Sequence, residues 1–147
     1  MEKVSLDMLI KFKKMDSNAK LPSYANQGDA GMDFYSAENY VLRPNARKTI
    51  KTGIAMAIPV GYVGLIWDKS GLASKKGIKT MAGVVDSGYR GEVQIVLHNL
   101  GNEDFVVEKD MKIAQMLIQP IHQPRLEEVA ELDETKRGDG GFGSTGK

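Results

Sequence analysis

Short apolar runs broken by turn residues recur along this chain, and that rhythm restricts it to a fold of short strands. Met8, Ile10 and Phe12 alternate with Lys11 and Lys13, as in a half-buried strand. Ala30-Gly-Met-Asp-Phe-Tyr-Ser-Ala37 follows a stretch rich in Asn, Pro and Gly. Ile54, Met56 and Ile58 alternate with alanines before the turn at Pro59-Val-Gly61, and Tyr62–Trp67 form the next run. Val93, Ile95 and Leu97 alternate with Gln94, Val96 and His98, and Ile113–Ile118 run to Pro120. Many short strands with few helices predict an all-β jelly-roll barrel or sandwich.

Two segments carry helical signals. Ser70-Gly-Leu-Ala-Ser-Lys-Lys-Gly77 is barely two turns long: Ser70 is placed to cap its start, Lys75 and Lys76 suit its negative end, and Gly77 supplies a left-handed stop. Leu126–Lys136 is built of good helix formers, and local propensity makes it a helix as well.

Composition narrows the chemistry. A single domain of 147 residues has 20 Lys and Arg against 19 Asp and Glu, so no global field favours nucleic acid or an anionic membrane. There is no cysteine, and the two histidines, His98 and His122, lack metal-ligand spacing. Any metal is therefore expected to be a hard cation held by oxygens. Neither a signal-peptide core nor a membrane span is legible, which makes a soluble, cytoplasmic protein the expectation.

Four places are equipped for chemistry. The tail from Arg137 to Lys147 threads a cation, one aromatic (Phe142) and two hydroxyls (Ser144, Thr145) among glycines whose amides can approach an anion. Its Gly141–Lys147 stretch matches part of a phosphate-binding P-loop. That motif also needs a preceding strand, a Ser or Thr after the lysine and a following helix, so a Walker-type site is not expected. Gly83-Val-Val-Asp86-Ser-Gly-Tyr89-Arg90-Gly91 reads as a turn that gathers a carboxylate, an aromatic ring and a cation, the groups that phosphoanhydride hydrolysis uses. Lys69 and Ser70 stand at the start of the short helix, where an anion is favoured. Asp33 and Gln115 are polar residues inside apolar strands, and a satisfied core hydrogen bond is the plain alternative to a functional role for each.

Taken in order, five segments resemble the five motifs of the homotrimeric dUTPase family. They are Ala30-Gly-Met-Asp-Phe34, Lys69-Ser-Gly-Leu-Ala73, Gly83–Gly91, Lys112-Ile-Ala-Gln-Met116 and Arg137–Gly146. The resemblance implies a distorted jelly-roll barrel of the dUTPase-like β-clip type with one short helix. It divides the chain into a barrel domain, residues 1–132, and a flexible lid, residues 133–147, that completes a neighbouring subunit's active site. It also makes residues 126–132 extended, against their local propensity.

The activity implied is hydrolysis of dUTP to dUMP and pyrophosphate with Mg2+, which limits uracil entering DNA and supplies dUMP for dTMP synthesis. Asp86 is then the base, and Asp33 faces the metal through water. Lys69, Ser70 and Gln115 hold the phosphate chain, with Arg137, Ser144 and Thr145 at the γ-phosphate and Phe142 stacked on uracil, and Gly71 and Gly143 bind substrate. Arg90 belongs to the same substrate-binding set. Tyr89 excludes a ribose hydroxyl, and the 79–85 hairpin arm, through Thr80, Gly83, Val84 and Val85, reads the base. Three positions depart from the family's pattern: Lys69 stands for a usual Arg, Gly88 for a frequent second acid, and Asp68 for a common Pro. A dCTP-deaminase-like enzyme would need a Glu where Val96, Leu97 and His98 stand, and a non-catalytic nucleotide-sensing or partner-binding relative would need neither Asp86 nor the tail.

Overall fold

The computed structural model describes residues 8–146; the first seven residues of the N-terminal reading and Lys147 of the P-loop match lie outside them. These residues form β1 (Lys11–Lys14), β2 (Met32–Tyr35), β3 (Tyr40–Leu42), β4 (Arg47–Ala57), β5 (Tyr62–Trp67), α1 (Ser70–Lys76), β6 (Ile78–Met81), β7 (Val84–Val85), β8 (Glu92–Asn99), β9 (Phe105–Val107) and β10 (Lys112–Pro120). None of the described helices is long and apolar enough to cross a membrane.

One four-stranded sheet has the order β1-β4-β8-β6, a second β2-β10-β5-β7, and β3 pairs with β9 in a two-stranded ribbon. The strands therefore build a jelly-roll-like clip of open sheets, and the expected barrel does not close. Its terminal strands β6 and β7 are consecutive in the chain but end different sheets. All three sheets contribute to one core: Phe34 and Met116, Ile50 and Ile95, and Leu42 and Val107 belong to a single buried cluster.

The alternation read along residues 93–98 is the burial pattern of β8, with Val93, Ile95 and Leu97 inside and Gln94 exposed. Asn99 continues the inward phase. Its amide donates to the carbonyls of Leu42 (2.9 Å) and Glu103 (2.8 Å), and its Oδ1 accepts from the Gly101 N–H, so this buried polar group is fully partnered. β4 begins well before the apolar run at Ile54, because Arg47–Lys51 pair with His98–Gln94 of β8. A bulge between Lys51 and Ala55 then shifts the register, and the Thr52 hydroxyl donates to the Val93 carbonyl across it.

The short helix forms where expected, but Ser70 does not cap it. Lys69 occupies the capping position without a side-chain capping bond, and Ser70 is the first helical residue. Gly77 ends the helix at φ 69°, with its N–H on the carbonyls of Ala73 and Leu72. A Cβ there would also lie 2.8 Å from the Gly101 nitrogen. Residues 121–135 contain no helix, so propensity loses to tertiary context, as the family resemblance implied. Leu126, Val129 and Leu132 are exposed, so among the described residues this segment has no packed apolar face to stabilise a helix.

Gly77→Ala should destabilise the protein by about 1–3 kcal/mol through strain and the Gly101 contact. Gly88→Ala should stay within about 0.5 kcal/mol, because Gly88 has a backbone open to any residue and nothing within 4 Å of its would-be Cβ. Parallel denaturation curves check this pair, and equal shifts would contradict the packing described.

Candidate active site

The pairing register brings three predicted segments to one rung. Gln115 of β10 lies directly opposite Asp33 on β2 and opposite Trp67 on β5, and Trp67 leads straight into Asp68-Lys69-Ser70. The Gln115 amide donates to the Asp68 carbonyl at 2.9 Å. On the other side it presses against Gly31, where an added Cβ would come 2.2 Å from Gln115 Oε1 and 3.1 Å from its Cβ. An alanine at position 31 would push aside the end of the Gln115 side chain and crowd its Cβ, so glycine lets β10 and the 28–31 turn meet without moving that amide. Ala30, Trp67, Asp68, Ser70, Gln115 and Leu117 line a cleft of about 440 Å3.

Asp33 is charged and almost enclosed, its side chain 4% exposed. Lys69 Nζ donates to one carboxylate oxygen at 2.6 Å, and Lys112 Nζ lies 3.2 Å from the other. Burial works to raise the Asp33 carboxyl, but the bonds and charges of Lys69 and Lys112 outweigh it and set the carboxyl below its ordinary range. Asp33 therefore stays ionised at neutral pH. The stabilisation this lends is present above the unfolded carboxylate value and is lost as pH falls through the lowered folded one.

A second cleft of about 380 Å3 lies along the Gly83–Tyr89 segment. Ile66, Gly83, Val84, Val85, Asp86 and Tyr89 line it, with Gln94 and Val96 of β8. Asp86 opens a turn closed by the Tyr89 N–H on the Asp86 carbonyl (3.2 Å). The Tyr89 hydroxyl donates to the Glu92 carbonyl at 2.7 Å, which fixes the ring beside the exposed Asp86. Arg90 donates to the carbonyls of Ser87 (2.6 Å) and Tyr89 (3.1 Å), so in this state its guanidinium braces the turn.

The 79–85 segment is not a hairpin. β6 pairs with β8 while β7 pairs with β5, and the chain changes sheets at Ala82 (φ 61°) and Gly83 (φ 114°). A left-handed backbone at a non-glycine residue beside the cleft is a local strain held by its surroundings. Here the Ile66 N–H bonds the Gly83 carbonyl at 2.8 Å. Thr80 is buried, and both its N–H and its hydroxyl donate to Asp68, so it supports the site instead of facing the cleft.

The predicted residues thus fall into separate groups. Ile66 and Trp67 are neighbours on β5 whose side chains point to opposite faces, so the Asp86 cleft and the Ser70–Gln115 cleft flank that strand. The tail joins neither. Among the described residues its hydrogen bonds close on themselves, with Arg137 Nε on the Gly140 carbonyl (2.8 Å) and turns at 135–138, 141–144 and 143–146. Phe142 is fully exposed, and Gly71, Gly143, Ser144 and Thr145 are also at the surface. Sequence reading noted Asp68 only as a departure and missed its contacts, because a carboxylate after an apolar strand carries no local sign of its distant partner.

No trio of His, Asp and Glu converges as a metal cage among the described residues, and Asp33 has both oxygens engaged by lysines. The ionised Asp33 carboxylate is a hard oxygen acceptor, the chemistry that a hydrated Mg2+ uses through water.

Residues 17–146 match the family model described as dUTPase. A deoxyuridine 5'-triphosphate nucleotidohydrolase of Clostridioides difficile is 48% identical over 139 residues, which cover 93% of this chain and 97% of the relative. One from Clostridium novyi is 49% identical over 141 residues, covering 95% and 99%. The dUTPase of Staphylococcus bacteriophage 80alpha, solved with dUpNHpp, superposes with a TM-score of 0.85 at 34% identity, covering 95% of this chain and 99% of that one. A dUTPase variant from phage phi11 of S. aureus, whose structure is described as revealing the coordination of a structural Mg(II) ion, matches with a TM-score of 0.81 at 30% identity, covering 86% and 99%.

Gly31→Ala tests the rung directly. Overpacking should displace the Gln115 amide and cost about 1–3 kcal/mol, felt in substrate affinity or in stability. Unchanged KM and unchanged thermal midpoint would show that the contact with Gln115 is not close.

Proposed function

Because the chain belongs to the dUTPase family, we propose that it converts dUTP to dUMP and pyrophosphate by water attack on the α-phosphorus, in sites shared among the subunits of a homotrimer. The observation that carries this reading is the cleft in which the exposed Asp86, the braced Tyr89 ring and the Gly83–Val85 main chain meet.

In this mechanism Asp86 orients the water and takes its proton. Tyr89 lies beneath the sugar and leaves no room for a 2′-hydroxyl. β7 ends its sheet, so among the described residues one edge of its main chain is free of strand partners and available to the uracil edge. A base with the wrong donors there leaves buried groups unpaired and is strongly rejected. Ser70 and Gln115 bind the phosphate chain, and Lys69 contributes a point charge where an arginine would make a forked contact. Asp33 would hold the hydrated Mg2+ through water. When bound, that ion supplies charge neutralisation across the phosphates.

The separation of the two clefts within one chain supports assembly from several. Asp33, Lys69, Ser70, Gly71 and Gln115 come from one subunit, Asp86 and Tyr89 from a second, and the tail from the third. Residues 133–147 then act as a lid over the 1–132 body, with Phe142 on uracil and Arg137, Gly143, Ser144 and Thr145 at the terminal phosphate. The self-contained turns and exposed Phe142 of the tail support this, since the tail keeps these groups free of its own body. Closure excludes bulk water from the reacting phosphate.

Pyrophosphate release from dUTP, dCTP, dTTP and UTP with Mg2+ checks the reading. The wild type should prefer dUTP, and Asp86→Asn should lower kcat by about 10²–10⁴-fold. No pyrophosphate from dUTP, or full activity in Asp86→Asn, would overturn it.

A further inference from the structure

We propose that Asp68 is a positioning residue that ties the phosphate-binding loop to the arm that reads the base. The proposal rests on the assignment of Ser70, Gln115 and the 82–85 main chain to the substrate, and it gives a task to a residue that departs from the family's common Pro.

Asp68 follows β5 and precedes Lys69 and Ser70, so its backbone belongs to the phosphate side. Its carbonyl accepts the Gln115 amide at 2.9 Å, which joins β10 to the same loop. Its carboxylate turns to β6: Oδ1 accepts the Thr80 N–H at 2.6 Å and the Thr80 hydroxyl at 2.9 Å, and Oδ2 accepts Lys79 Nζ at 2.8 Å. β6 ends its sheet, so among the described residues its outer edge has no strand partner, and Asp68 satisfies a main-chain donor there that burial would otherwise leave costly.

Two residues beyond Thr80 the chain turns through Ala82 and Gly83 into the cleft. That corner is fastened by the Ile66 N–H on the Gly83 carbonyl (2.8 Å). The arm is therefore held at two points, and both anchors, Ile66 and Asp68, stand on the stretch that delivers Ser70. Displacing either side moves the other, so in the proposed trimer one chain's phosphate loop and base-reading arm, which serve neighbouring sites, share one scaffold. Asp68 itself does not act as a base. Burial works to raise its carboxyl, but the Lys79 and Thr80 bonds prevail and set it below the ordinary range, and three donors occupy its oxygens.

The test is steady-state kinetics of the full-length Asp68→Ala, Asp68→Asn and Thr80→Val proteins on dUTP and dCTP with Mg2+, beside thermal midpoints and sedimentation. Asp68→Ala should raise KM for dUTP and reduce the dUTP-over-dCTP ratio of kcat/KM by about tenfold or more. Asp68→Asn keeps an oxygen for both Thr80 donors and should recover most of that ratio. Thr80→Val removes only the hydroxyl and should move the ratio the same way by a smaller factor. If Asp68→Ala fails to fold, Thr80→Val decides. An unchanged ratio in the folded variants, or an activity loss that only tracks loss of folded protein, overturns the positioning role. Those outcomes beside a normal wild type sink Asp68 alone, whereas a wild type inactive on dUTP sinks the assignment of the site itself.

Discussion

The register of β10 between β2 and β5 is the constraint on which the site depends. Gln115 meets Asp33 on one side and Trp67 on the other, and a one-residue slip would turn Gln115 away while exposing Ile113 or Met116. Hydrophobic burial therefore specifies the register, and the polar residues gain their alignment from it. Ala114, Met116 and Phe34 are fully buried around this rung, so the core and the Asp33–Gln115 cluster are set by the same pairing.

Charge is handled by local pairing instead of a global field. The chain carries a formal charge of +1, yet Lys69 and Lys112 converge on Asp33, and Lys79 and Thr80 on Asp68. Each carboxylate is partly enclosed, and each is kept ionised by donors that would lose a partner if it were removed. Lys69, 29% exposed, is the more accessible member of its pair with the almost enclosed Asp33.

Local patterns made much of this legible. Strict alternation disclosed β8, the continuous apolar run disclosed β10, and Gly77 disclosed the helix end. The first half of β4 stayed hidden because Arg47–Thr52 is mostly polar, and β3, β7 and β9 are only two or three residues long. The supposed hairpin at 79–85 failed for a different reason. A turn-rich segment between two strands looks alike whether the strands pair with each other or with separate sheets, and only β5 and β8 decide which. For the candidate site, motif order pointed to Asp86, Tyr89, Ser70 and Gln115, which line the two clefts, whereas the Asp68–Thr80 link spans 12 residues and depends on tertiary contact.

A single chain sets Asp86 and Gln115 in clefts on opposite sides of β5 and leaves Phe142 in solvent, so the account stands on sites shared between subunits. Subunit mixing measures this most directly. In the proposed trimer, Asp86→Asn subunits lack the proposed base and subunits ending at Lys136 lack the tail; each homotrimer should be nearly inactive alone. After equimolar exchange, half the bases and half the tails are intact and come from different subunits, so dUTP hydrolysis should return to about a quarter of the wild-type rate. Exchanged trimers, verified by mass, that remain inactive would contradict the shared site.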